Sequence, residues 1–318
     1  MPNSSGILYL RAQTGLHPGA GSSVGAIDLP IQRERHTGWP CIQGSSVKGV
    51  LREAYRLHMH RTGKAAAPAD DDDGRRTWRD IADLTDELTA IFGKAEGDTG
   101  YAGAIAVTDA RVLAFPVRSA KGVYALLTCP AVVQRYLEDL AMAGMSHRTI
   151  QLPNLADDRV LVSDVGLAAL SVQLAQRQSI ILEDLVFEQG DGSSSALDEL
   201  AKVFAAVGVP NVYQRLVVVS DNAFGHFVNH CTEIVTRIAL DSDTKRVRTG
   251  ALFVLEMLPA ESVFYSALLG AQDRAEPAGD HTAVAQIKGA LAVTKLLQVG
   301  GEETTGKGWC WAQVEVAE

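Results

Sequence analysis

Residues 15–52 read GLHPGAGSSVGAIDLPIQRERHTGWPCIQGSSVKGVLR. Seven glycines and three prolines in this stretch argue against a regular element until about Ser46, where the pattern turns helical. Residues 15–45 are therefore expected to form a long ordered loop, and loops of that length inside a compact domain are usually functional. Asp28 sits between Ile27 and Leu29-Pro30, and the proline restricts both its own φ and the conformation of Leu29. Ser45 and Ser46 can cap a helix running to about residue 61, with Lys48, Arg52 and Arg56 at i, i+4 and i+8 on one face. A backbone-rich loop thus stands beside a cationic helix start, where N–H groups and the helix dipole favour phosphate.

The remainder of the chain bounds the possibilities. At 318 residues and 47% hydrophobic, it can bury one large core carrying insertions. Its net charge of −9 confines any nucleic-acid site to a local basic patch. Cys41, Cys129, Cys231 and Cys310 are far apart and form no C-x-x-C pair, as expected of packed, reduced thiols. The start carries no signal-peptide pattern, and no apolar run approaches the ~20 residues of a membrane helix. The cytoplasm is the expected compartment.

In order, residues 7–13 read as a strand leading into the loop. Residues 62–76, with the four-Asp run 70–73, read as a solvated insertion, since consecutive aspartates lack the spacing of a Ca²⁺ loop. An amphipathic helix is expected over 78–92, with Ile81, Leu84, Leu88, Ile91 and Phe92 inward and Gly93 as its C-cap. Strands over 103–117 and 123–129 precede a helix starting at Pro130 and ending near 143. Residues 144–172 are polar and broken, and read as an inserted flap. Next come a strand over 179–189, a helix over 196–207, a strand over 215–220 and a short helix opened by Asp221-Asn222. That helix carries His226 and His230 at the zinc-helix spacing but lacks the intervening metalloprotease glutamate.

Two further stretches stand out. Extended runs at 232–240 and 248–256 flank DSDTKRV, a hairpin whose tip carries Lys245, Arg246 and Arg248. A helix over 283–297, with Val284, Ile287, Leu291 and Val293 inward, leads to Gly300-Gly301-Glu302-Glu303-Thr304-Thr305-Gly306-Lys307-Gly308 and then the strand WCWAQVEV. A P-loop is excluded because Gly308 stands where Ser/Thr is needed and the helix–loop–strand order is reversed. The glycines still let backbone N–H groups approach a phosphate, with Lys307 as a point charge.

The run IDLPIQRERHTGWPCIQGSSVKGVLR with its preceding loop glycines, the region RIALDSDTKRVRTGALFVLEMLP, and the glycine loop between the last helix and last strand together resemble the RAMP family of CRISPR proteins. Within it they resemble the repeated backbone subunit of type III-B (Cmr) RNA-targeting complexes. The resemblance implies a single α+β domain over 1–318, with a ferredoxin-like (RRM-type) βαββαβ core. It adds a helical or flexible insertion at 62–100, the flap at 144–172 and a thumb hairpin region at 220–258. It also implies a metal-dependent endoribonuclease that polymerises along CRISPR RNA as a helical filament with other Cmr subunits. Such a subunit cuts complementary single-stranded target RNA at regular intervals, with Mg or Mn bound together with the target. Asp28 is the implied catalytic residue. The implied RNA contacts are His17, Arg33, Gly44, Ser45, Ser46, Lys48, Arg52, Lys245, Arg246, Arg248, Gly300, Gly301, Gly306 and Lys307. No resident metal ligands are assigned.

Two alternatives stay open on the residues. One is a guide-RNA scaffold without cleavage, which the presence of Asp28 argues against. The other is a metal-dependent hydrolase built from His17, Asp28, His36, His226 and His230, which bound metal in the purified protein would mark.

Overall fold

The computed structural model describes residues 5–23, 25–65, 77–94, 100–145, 150–192, 194–271 and 283–317. Its centre is four strands lying side by side: Trp309–Val316, Ser5–Ala12, Val263–Gly270 and Ala110–Arg118, each antiparallel to its neighbour. Ser5–Ala12 is buried along nearly its whole length because both faces of the sheet are covered. On the face of Gly6, Leu8 and Leu10 lies the helix Ala283–Thr294, whose Val284 packs against Gly6 and which also contacts the helix Gly44–Arg61. On the opposite face Tyr136, from the helix Pro130–Met142, shares a 2.7 Å hydrogen bond with Tyr9 and stacks edge-on to Tyr265 with ring centroids 5.1 Å apart. The architecture is α+β.

From Ala110–Arg118 the sheet continues through Tyr124–Thr128, Leu216–Val218, Arg159–Val162, Leu185–Gln189, Arg177–Leu182 and Ser171–Leu174; with Leu296–Gln298 beside Trp309–Val316, Cys41–Ile42 on Ala110–Arg118 and Ile105–Val107 on Val263–Gly270 it has 13 strands among the described residues. This corrects the flap expected at 144–172. Arg159–Val162 pairs with Leu216–Val218 and Leu185–Gln189, and Val160, Leu161 and Val162 are buried. Polar composition in the flanking turns masked a short strand that long-range pairing brings into the main sheet. Likewise 179–189 is not one strand but a hairpin reversing at Glu183-Asp184, with Glu183 at φ +49°. The 103–117 run is interrupted at Thr108-Asp109, separating Ile105–Val107 from Ala110–Arg118.

The helix expected over 78–92 splits into Trp78–Asp83 and Asp86–Phe92. Thr85 causes the break: its hydroxyl accepts from the N–H of Leu88 and caps the second piece, and Leu84 is left 65% exposed. Gly93 does end the second helix, at φ +93°. Ser45 and Ser46 are not caps either. They lie inside Gly44–Arg61, whose first N–H, on Gly44, donates to the Asp109 carboxylate at 2.7 Å. Val293 points outward at 62% exposure while Val284, Ile287 and Leu291 are buried. Asp70 to Asp73 and most of the proposed solvated insertion lie outside the described residues. All four cysteines are free thiols, three of them buried. Among the described residues no helix is long and apolar enough to cross a membrane.

Candidate active site and nucleic-acid interface

The hairpin pairs Glu233–Arg237 with Phe253–Met257 as a two-stranded sheet separate from the large one. Its far end is closed by the Leu240–Val247 bridge, with the Asp241 carboxylate accepting from the N–H groups of Asp243 and Thr244. Lys245, Arg246 and Arg248 are exposed there.

The outer edge of Phe253–Met257 is where the long loop docks. Leu29 N–H donates to Val254 O at 3.1 Å, and Glu256 N–H donates to Leu29 O at 3.0 Å. Next to these bonds the Val254 N–H donates to Asp28 Oδ2 at 2.7 Å. Asp28 remains exposed. The loop is also laddered on itself, with Ala20 N–H on Pro30 O at 2.9 Å and Gln32 N–H on Pro18 O at 2.8 Å. The loop thus folds back on itself, and the strand fixes where the carboxylate sits.

His17 is 8% exposed, and its Nδ1 lies 2.7 Å from Glu256 O. A carbonyl only accepts, so Nδ1 carries the hydrogen and donates to it. His17 O in turn accepts from Gly301 N–H at 3.0 Å, and Gly15 O accepts from Gly308 N–H at 2.9 Å. Gly300, at φ +78°, is required for this approach, because a Cβ there would lie 2.2 Å from His17 O. The glycine loop therefore packs on the stem of the Asp28 loop. Lys307 is half-buried in it, and Glu302 pairs with Arg237 of the hairpin. The Asp28 loop is thereby brought to two stretches more than two hundred residues away, and those two, 65 residues apart at Arg237 and Glu302, to each other.

Other expected RNA contacts are engaged within the protein. Arg33 donates to Glu256 Oε1 at 2.6 Å and to Gly38 O, Val228 O and Asn229 Oδ1, which makes it a staple between segments. Lys48 Nζ donates to Ile105 O at 3.2 Å, and burial together with the Arg52 charge pushes its pKa down from the ordinary lysine value. Arg52 and Arg56 both grip the Asp83 carboxylate, at 3.0 Å and 2.6 Å. Ser45 and Ser46 are exposed, whereas Gly44 is buried with Val107 O 2.5 Å from where its Cβ would be. Gly306 is exposed.

The five-residue hydrolase set does not assemble. His226 and His230 have ring centroids 4.8 Å apart, but His36 is exposed beside Glu34 and His17 is bound to Glu256. Among the described residues no group of three or more His, Cys, Asp or Glu is placed to hold a metal ion. The residues around Asp28 therefore do not fit a resident ion. Sequence reading missed Glu256, Val254, Arg237 and Asp83. Glu256 alone left a signal, as an acidic residue inside the apolar run FVLEM.

The RAMP superfamily model matches residues 9–311. The "CRISPR system Cmr endoribonuclease Cmr4" of Pyrococcus furiosus is 34% identical over 311 residues, covering 95% of this chain and 93% of that one. The crystal structure of oligomeric Cmr4 from Pyrococcus furiosus superposes with a TM-score of 0.68 at 29% identity, covering 98% of each chain. A chain in the cryo-EM structure of type III-B Cmr-beta bound to cognate target RNA has the same fold, with a TM-score of 0.68 at 22% identity over 98% of this chain and 96% of that one. Since the superfamily match spans nearly the whole chain and carries the loop, the hairpin strand and the glycine loop together, the protein belongs to the RAMP superfamily and, within it, to the Cmr4 family.

Proposed function

We propose that this chain is the repeated backbone subunit of a type III-B CRISPR ribonucleoprotein, holding CRISPR RNA by its backbone and cutting the paired target RNA. The observation that carries the proposal is the exposed Asp28 carboxylate, held by Val254 on a loop that the hairpin strand and the glycine loop both brace. Contacts to phosphate and sugar suit a protein that accepts any guide sequence, leaving sequence reading to base pairing. Numbered in chain order, the four central strands Ser5–Ala12, Ala110–Arg118, Val263–Gly270 and Trp309–Val316 lie in the order 4-1-3-2, which supports a ferredoxin-like reading. The exposed tip at Lys245, Arg246 and Arg248 is the thumb that meets the guide–target duplex or the next copy. The subunit works in the cytoplasm, in a helical filament with other Cmr subunits.

Cutting RNA requires no external nucleophile, because the 2′-OH beside the scissile phosphate can attack it when held in line. Asp28 takes the 2′-OH proton as O2′ bonds to phosphorus, and the 5′-oxygen leaves, gaining a proton from water. The products are a 2′,3′-cyclic phosphate and a 5′-OH. A divalent ion, Mg or Mn, arriving with the target RNA would find a ligand in Asp28 and would supply neutralisation of the charge developing on the phosphate. Replacing Asp28 with Ala in the assembled complex is expected to abolish target cleavage while guide binding, target binding and assembly persist. Cleavage at the wild-type rate by that variant would refute the assignment.

A further inference from the structure

Glu256 lies in the strand Phe253–Met257 with its side chain 5% exposed. A buried carboxylate is costly unless its oxygens are satisfied. Here both oxygens are satisfied. Oε2 accepts from Ile31 N–H at 3.1 Å, and Oε1 accepts from Arg33 Nη2 at 2.6 Å and Thr232 Oγ1 at 2.9 Å. The main chain of the same residue donates to Leu29 O and accepts from His17 Nδ1. One residue therefore reaches the Asp28 loop on either side of Pro30, the glycine-loop stem through His17, and the foot of the hairpin through Thr232.

Apolar residues replacing a buried ion pair such as Glu256 and Arg33 together are often no less stable, so stability alone does not call for a carboxylate here. What a carboxylate adds is register. The loop from Gly19 to Gly25 is glycine- and serine-rich, and Ile31 is the apolar anchor nearest Asp28, 2% exposed and three residues away. Parallel pairing of Leu29 with Leu255 would tolerate a slip along the strand edge. The bond from Ile31 N–H to a fixed, charge-paired oxygen removes that freedom. Arg33 completes the lock, because its other nitrogen reaches Gly38, Val228 and Asn229 and ties the carboxylate to the body of the domain.

We infer that Glu256 is the positioning residue for Asp28: it holds the loop in the one register that presents the carboxylate to the target 2′-OH, and it touches no RNA. The inference rests on Asp28 being the catalytic residue. Glu256→Gln preserves size but offers one oxygen to donors that need two, so the loop loses its register while the strand remains.

The test is single-turnover cleavage by the assembled, guide-loaded complex, reading rate and amplitude separately, with Asp28→Ala alongside. Positioning predicts full amplitude, an unchanged half-maximal target concentration and a rate lowered about 10- to 100-fold, the cost of a displacement near 1 Å. A merely structural role predicts a lower amplitude from fewer intact complexes, each cutting at the wild-type rate. That result, or a wild-type rate at full amplitude, overturns the inference provided Asp28→Ala is inactive. If Asp28→Ala cuts, the functional reading fails instead. Should Glu256→Gln not assemble, Arg33→Lys carries the same readout. It retains the charge but shortens the fork, so slower cutting at full amplitude is expected and a wild-type rate overturns the inference.

Discussion

The Val254 N–H donates to Asp28 Oδ2 at 2.7 Å, across 226 residues of sequence. Asparagine at position 28 retains an oxygen to accept that bond, so the loop stays in place, but the amide takes no proton. Asp28→Asn should therefore melt with the wild type while losing about 10²- to 10⁴-fold in cleavage rate, the usual share of general acid–base catalysis. Thermal unfolding and a cleavage time course check this together. Retained cleavage would mean that the carboxylate's charge is not needed.

Gly300 and Gly306 share φ +78° but differ in surroundings. Alanine at either carries the left-handed cost of about 1–2 kcal/mol. At Gly306 nothing lies within 4 Å of the new Cβ, whereas at Gly300 it meets His17 O at 2.2 Å. Gly300→Ala should thus lower the melting temperature clearly more than Gly306→Ala and should also impair cleavage, because His17 is displaced. Equal effects of the two substitutions would contradict the close approach.

Lys48 has a lowered pKa, through burial first and the Arg52 charge second. For a base, a lowered folded pKa means that the positive charge is lost at lower pH than in an ordinary lysine. Guide affinity in the wild type should therefore weaken as pH rises through the alkaline range, before ordinary lysines titrate, and Lys48→Arg should remove that early loss. Binding isotherms across alkaline pH decide it. Superimposable profiles for the two proteins would take Lys48 out of the interface.

Asp83 occupies Arg52 and Arg56 as a phosphate would, with Arg56 engaging both of its oxygens. Asp83→Asn should release the pair, tighten guide binding at low salt and steepen its salt dependence by about 0.7 for each added single-strand phosphate contact. A salt series on the two proteins measures this. No change in slope would assign the arginines to the fold alone.

The stretches that form the candidate site were legible because their residue types act locally. Glycine at Gly300 and Gly308, proline after Leu29, and alternating residues on both sides of DSDTKRV state their backbone preferences within a few positions. The first strand, the Pro130 helix and the C-terminal strand were legible for the same reason, since period and capping need no distant partner. Strand order, the incorporation of Arg159–Val162 into the sheet and the splitting of 78–92 at Thr85 depended on what each segment met in space. The same holds for the site. Asp28 and His17 were chosen by residue type and by resemblance, but the tertiary structure decided that Arg33 would serve Glu256 and that Asp83 would cover Arg52. A buried carboxylate or a cation acquires its role from the partner that offsets its desolvation, and here those partners come from other segments of the fold, 223 residues apart for Arg33 and Glu256 and 31 for Arg52 and Asp83.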